Sequence, residues 1–424
     1  MLLISIYPAI KSKSVEEKQM NISDITELKS EIMLRVDQLA EQLLDISHDI
    51  HSHPETNYEE AHAHHLLTDA LSTQFTNVQR GAYGLETAFA ARESGSLLPG
   101  SRRVAILCEY DALPEIGHAC GHNVIAASGL GAALALQPFM SNLPGELHVF
   151  GTPAEEGGGG KIAMARQGAF DGIDAAMMVH PADFDLTSIK AIAIQECCAS
   201  FHGNAAHAAA APHLGKNALD AAVLAYGSIG ALRQHIKPSE RIHGIFTHGG
   251  DKPNIVPHFA SQQWYVRSDS LDTLQPLKER VEACFHGAAI SAGCTVEVEW
   301  ENHAYADMRD SESLLNLYLH NAQLVGRSPQ RPTSDSVVVG STDMGNVSYL
   351  APSIHPMIQV APHGVPIHTP RFAEYARAEE GDRAVIDGAK ILALTALDAL
   401  LDDAAGAETA SEFARIGPRP VGLI

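Results

Sequence analysis

The sequence predicts an α/β fold: a mixed, mostly parallel sheet with flanking helices, interrupted by a smaller α+β unit. Short, almost continuously apolar runs alternate with stretches of helical period up to about residue 187, the pattern of strands covered on both faces by crossover helices. From about Ser188 the order becomes β-α-β-β-α-β, that of a ferredoxin-like module. The 424 residues, 45% hydrophobic and 19% charged, leave room for two or three domains at roughly 150 residues each. The expected division is an extension over 1–21, a sheet domain built from 22–187 and 304–424, and an inserted domain over 188–303.

In chain order, Leu28, Ile32, Val36, Leu39, Leu43 and Ile46 recur at helical spacing and predict a helix over 22–50. It stops where Pro54 disfavours helix at His53. A helix over 58–71 carries His62, His64 and His65, read as solvent-exposed. Residues 104–107 form a buried strand that turns polar at Glu109, Tyr110 and Asp111, and 124–136 form a core helix. Strands follow over 146–150 and 175–179, the second ending at His180 before Pro181. In the inserted unit the strands are 189–201, 242–248, 260–268 and 295–300, with helices over 214–235 and 271–292. The chain then returns through a helix over 312–325, a Pro- and Gly-rich stretch over 334–370 and a closing helix over 382–402.

A formal net charge of −22 and the lack of any Lys/Arg run argue against nucleic acid as a partner. Six cysteines without a C-x-x-C pair point to a reducing compartment, hence a cytoplasmic protein, rather than to a disulfide framework. The opening MLLISIYPAI is too short, and lacks the flanks, for a secretory signal. No run is expected to approach the roughly 20 apolar residues of a membrane span.

Chemistry concentrates at strand ends, where ligands of open α/β sheets gather. Cys120 and His122 follow the 104–107 strand; a thiolate beside an imidazole suits zinc or a similar ion. Alone, the pair reads equally well as a buried cysteine beside a helix-capping histidine. Glu155 and Glu156 follow the next strand and precede four glycines. Buried together they repel, unless one ligates a metal while the other polarises a water. A phosphate-binding loop is excluded because Lys161 is followed by Ile162. His180 ends a third strand, and His368 in VPIHTPRF is a further candidate ligand with His363 competing. His207, in the inserted unit, otherwise reads as an exposed loop histidine.

GHACGH, PAEEGGGG, a strand-ending histidine, GNAAHAAAAPHLGKNALDA and IHTPRF, in that order, resemble the aminoacylase/carboxypeptidase family of di-metal peptidases with its zinc-exopeptidase-like fold. The nearest branch is the amidohydrolases typified by aminobenzoyl-glutamate hydrolase and by bacterial hippurate-type and plant auxin-conjugate hydrolases. The likeness runs from about Ile22 to Leu400. It implies Cys120, His122, Glu156, His180 and His368 as ligands of two divalent ions, zinc or manganese, with Cys120 between them. It further implies Glu155 as general base, and His207 as an oxyanion donor that often serves the partner subunit's site. Asn254 in KPNIVP and Arg267 in WYVRSD match positions that bind a substrate carboxylate. Glu109 stands where that branch more usually has Asp; CEYDALP with GHACGHN is the variant associated with aminobenzoyl-glutamate and β-alanyl-lysine dipeptidases. The implied activity is hydrolysis of an amide bond in a dipeptide or N-acyl amino acid, by a homodimer joined through the inserted domain, which also acts as a lid. The competing expectations are a homologue that binds metal without catalysis, and a purely structural zinc.

Overall fold

The computed structural model describes residues 22–332 and 339–416; the opening MLLISIYPAI lies outside them. The strand Arg103–Glu109 is central in a six-stranded sheet. It pairs in parallel with Glu146–Thr152 on one side and Ala175–Met177 on the other, and Ser353–Ile354 extends the parallel part. Phe89–Ser94 and Val78–Arg80 add two antiparallel strands at the far edge. Because side chains alternate along a strand, Val104, Ile106 and Cys108 join the core under the long helices, whereas Ala105 and Leu107 join a second core on the other face.

The helices Ile22–Ser52, His122–Leu136 and Glu379–Leu401 pack together over the first face. All 15 residues of His122–Leu136 are buried. Continued by a 3-10 turn, the stretch His122–Asn142 is long and apolar enough to cross a membrane by length and composition. This corrects the expectation that no run approaches that length; its apolarity is explained by burial on all sides.

Two helices start later than the periodicity predicts. Ala61–Ser72 begins after Tyr58, whose φ of 62° is left-handed and ends any helical path there. Ala218–Leu232 begins after Asn217, whose side chain accepts from the amides of Leu219 and Asp220 as an N-cap. His64 is buried beside Phe89, not exposed as expected, since it lies on the inner face of its helix. The Pro- and Gly-rich stretch contains, among its described residues, the short elements Met344–Ser348, Ser353–Ile354 and Met357–Gln359. A last helix, Asp403–Ile416, follows the one expected to close the chain. These short elements escape periodicity because two to five residues hold at most little more than one helical repeat.

The strands Ala193–His202, Arg241–His248, Phe259–Ser268 and Thr295–Trp300 form a separate four-stranded sheet, antiparallel throughout, with Ala193–His202 and Phe259–Ser268 in the middle. Helices Ala218–Leu232 and Leu271–Ser291 cover one face, around Phe201, Trp264, Val266, Val281 and Phe285. Along the chain the elements follow the β-α-β-β-α-β order read from the sequence, and in the sheet the strands lie in the order Thr295–Trp300, Ala193–His202, Phe259–Ser268, Arg241–His248. The other face looks toward the first sheet and carries Ile194, Glu196, Tyr265 and Arg267.

Candidate metal centre

The segments that follow Arg103–Glu109, Glu146–Thr152 and Ala175–Met177 bring the predicted cluster together, but His180 does not end the third strand as expected: that strand stops at Met177, and His180 opens a short strand, His180–Ala182, that pairs with Met357–Gln359 in a separate sheet. Gly121, at φ 81°, turns the chain so that Cys120 and His122 flank the start of the core helix. Cys120 Sγ lies 3.5 Å from His180 Nε2. His122 Nε2 lies 3.8 Å from Glu156 Oε1 and 4.0 Å from Glu155 Oε2. His368 Nε2 lies 3.5 Å from Glu156 Oε2 and is fixed by its amide donating to Ala119 O at 2.8 Å. Ligand atoms of Cys120, His122 and His180 gather within 4.8 Å, as do those of Cys120, Glu156 and His368. The two groups share Cys120. His363 is exposed on Asp183 and takes no part.

The outer partners orient these ligands. Asp111 accepts from His122 Nδ1 at 3.0 Å and from the Glu156 amide at 2.9 Å, which leaves His122 Nε2 directed into the cluster. His180 Nδ1 donates to Pro181 O at 2.8 Å, freeing its Nε2 likewise. His122 Nε2 and Glu156 Oε1 are buried without a hydrogen-bond partner. Buried polar atoms are rarely left so, and a cation held by imidazole, thiolate and carboxylate satisfies both.

Beneath the cluster, Lys161 is fully buried with its Nζ 2.6 Å from both Glu109 Oε1 and Asp343 Oδ1. Carboxylate atoms of Glu109, Glu155 and Asp343 lie within 4.8 Å of one another, so this one cation balances several anions. Burial raises Glu109, yet Lys161 and His122 outweigh it and hold that carboxyl at about 2. Burial, then Glu109 and Glu156, push the Glu155 carboxyl well above its ordinary range. Burial also raises Glu156, but the hydrogen bond to His368 and the charge of His122 win and leave it lowered. Burial holds His180 down to about 4. The adjacent glutamates therefore have opposite proton affinities, one fit to ligate and one to carry a proton.

Sequence reasoning missed Asp111, Lys161, Asp343 and His355 as parts of this region. Asp111 is visible in the sequence as the polar residue at a strand end; Lys161 raises there only the question of a phosphate binder. Asp343 and His355 come from a stretch without periodicity, so no signal points to them.

Arg267 lines a cavity of about 630 Å³ together with Cys120, Glu155, Glu156, His180 and His368. His207 and Asn254 do not line it. They lie beside each other on exposed loops, the Ala208 amide donating to Asn254 O and His207 pairing with Ile255.

Among known proteins, the chain is 38% identical to the Xaa-Arg dipeptidase of Mus musculus over 93% of this chain and 94% of that one. It is 29% identical to a component of the p-aminobenzoyl-glutamate hydrolase of Escherichia coli, over 84% and 89% of the two chains. The aminobenzoyl-glutamate utilization protein of Klebsiella pneumoniae superposes with a TM-score of 0.69 at 21% identity, covering 87% of this chain and 98% of that one. A dinuclear metal binding peptidase of Bacillus subtilis superposes at 0.67 with 19% identity over 86% and 99%. The pattern of Peptidase family M20/M25/M40 matches residues 105–398. With a cluster of side chains able to hold metal and this match over most of its length, the chain belongs to peptidase family M20/M25/M40 and is a metallopeptidase of that family.

Proposed function

We propose that the chain hydrolyses the amide bond of a dipeptide whose C-terminal residue bears a free carboxylate, with two divalent ions held by Cys120, His122, Glu156, His180 and His368. The observation that carries this reading is the pair of ligand groups sharing Cys120, with Glu155 in neither of them but within 4.8 Å of His122 and Glu156. When bound, such ions lower the pKa of a water and polarise the scissile carbonyl.

The chain's own residues do the rest. Glu155 takes the proton of the attacking water as its oxygen bonds to the carbonyl carbon, then gives it to the amine nitrogen as the C–N bond breaks. Asp111 keeps His122 in the tautomer that presents Nε2. Arg267, whose Nε is buried without a partner, receives the substrate carboxylate. His207 and Asn254, which do not line the cavity of their own chain, serve that of a second copy. The inserted module offers a surface for such a copy: exposed Val223, Leu224 and Tyr226 on one helix beside Phe246 on the edge strand Arg241–His248. A basic C-terminal residue is favoured by the likeness to an Xaa-Arg dipeptidase.

The test is release of the C-terminal amino acid from a dipeptide and N-acyl panel after loading with Zn²⁺ or Mn²⁺. Cleavage restored to a folded, chelator-treated protein supports the reading. A metal-loaded protein inert on the whole panel overturns it in favour of a homologue that only binds metal.

A further inference from the structure

Resting on the peptidase reading above, we propose that Glu196 and Glu301 form the subsite that selects a cationic side chain on the residue whose carboxylate Arg267 holds. On the strand Ala193–His202, Cys197 turns into the core of the inserted module and its neighbour Glu196 turns to the cavity. Tyr265 is directly opposite Glu196, and Arg267 opposite Ile194. On the other side of Glu196, the Glu301 amide donates to Glu196 O at 2.9 Å, so Glu301 is its neighbour across the strands. Glu301, Glu196 and Tyr265 thus form one row across the cavity-facing sheet, and Arg267 stands one row on. All four line the cavity that contains Glu155 and the ligand cluster.

Like charges opposed across neighbouring strands destabilise a sheet. Glu196 accepts from Gln263 Nε2, a neutral donor, and among the described residues neither carboxylate forms an ion pair. A cation brought by the ligand gives both carboxylates the charged partner they lack, and both reach the cavity, Glu301 exposed and Glu196 half-buried. The same sheet face carries Arg267, whose Nε is buried without a hydrogen-bond partner, so this wall also lacks an anionic partner that a ligand carboxylate supplies. The diagonal between Glu196 and Arg267 is about 7–8 Å on a regular sheet, which the extended side chain of lysine, ornithine or arginine covers. One substrate residue therefore meets Arg267 with its carboxylate and the two glutamates with its side chain.

The experiment compares kcat/KM for Gly-Lys and Gly-norleucine, which differ in the terminal ammonium, on the metal-loaded full chain. The wild type prefers Gly-Lys. Glu196→Gln and Glu301→Gln each lower that preference about tenfold, and the double variant lowers it further, as expected for charged hydrogen bonds lost one at a time. Glu279→Gln, an exposed charge on the helix side of the module, leaves the ratio at the wild-type value. An unchanged ratio in the double variant overturns the proposal. A wild type that cleaves neither peptide overturns the peptidase reading only when the whole dipeptide and N-acyl panel is inert as well. In that case calorimetry with free lysine and norleucine reads the subsite without turnover: tighter lysine binding, lost in the double variant, supports it, and equal binding rejects it.

Discussion

Ala154 and His368 hold left-handed backbone at φ 57° and 62°, a conformation that costs a non-glycine residue about 1–3 kcal/mol. One precedes Glu155 and the other is a candidate ligand, so the strain sits where the metal centre would repay it. Motif order marked the five candidate ligands and Glu155. It could not mark Asp111, because an aspartate at a strand end reads as an ordinary polar stop until His122 is seen on it. Glu155→Gln should keep its metal and lose about 10²–10⁴ in turnover, whereas Glu156→Ala should lose metal as well. Metal content beside kcat separates them, and equal metal loss in both refutes the division of roles. Asp111→Asn should weaken metal binding about 10- to 100-fold, read by competition with a chelator.

At the scale of elements, the turn between the Arg103–Glu109 strand and the core helix is decided by Gly121. A Cβ there would meet Pro181 Cγ at 2.8 Å, on a backbone at φ +81° that side chains rarely adopt. Gly121→Ala should therefore cost about 1–3 kcal/mol and shift Cys120 against His122; a lower Tm together with reduced metal content is the expected result. Next to the strand Ser353–Ile354, burial pushes the Asp310 carboxyl up to about 7. A raised carboxyl stabilises the fold fully below its unfolded value near 3.8 and loses that contribution as pH rises through about 7. Asp310→Asn should flatten Tm against pH across that window, by at most ~1.4 kcal/mol per pH unit, and should raise Tm at pH 8. A variant whose Tm tracks the wild type at every pH refutes the assignment. The strand Phe89–Ser94 is not visible in the sequence, since FAARES carries two charges at an antiparallel edge where only one face is covered.

For the whole molecule, the absence of His207 from the lining of its own cavity is the main consequence of the architecture. If the inserted modules pair, mixing a His207→Ala protein with a Glu155→Gln protein should restore activity that neither has alone, because one cavity of the mixed pair receives an intact set. Failure to complement, with exchange of subunits verified, would return His207 to its own chain through closure of the two sheets. If the modules pair through their exposed apolar strip, the wild type should sediment as a dimer and Val223→Asp with Phe246→Asp as a monomer, since charges would be buried on the apolar surface.

Composition, alternation of apolar runs and ordered motifs determined the α/β architecture, the β-α-β-β-α-β element order and the candidate metal-binding residues, because burial periodicity and ligand chemistry are local properties of the chain. Only the tertiary structure decided that Lys161 lies between Glu109 and Asp343, that Glu196 and Glu301 share a wall with Arg267, and that His207 and Asn254 do not line the cavity of the cluster. Those facts depend on strand register and on how two sheets face each other, which are set by packing between residues far apart in sequence.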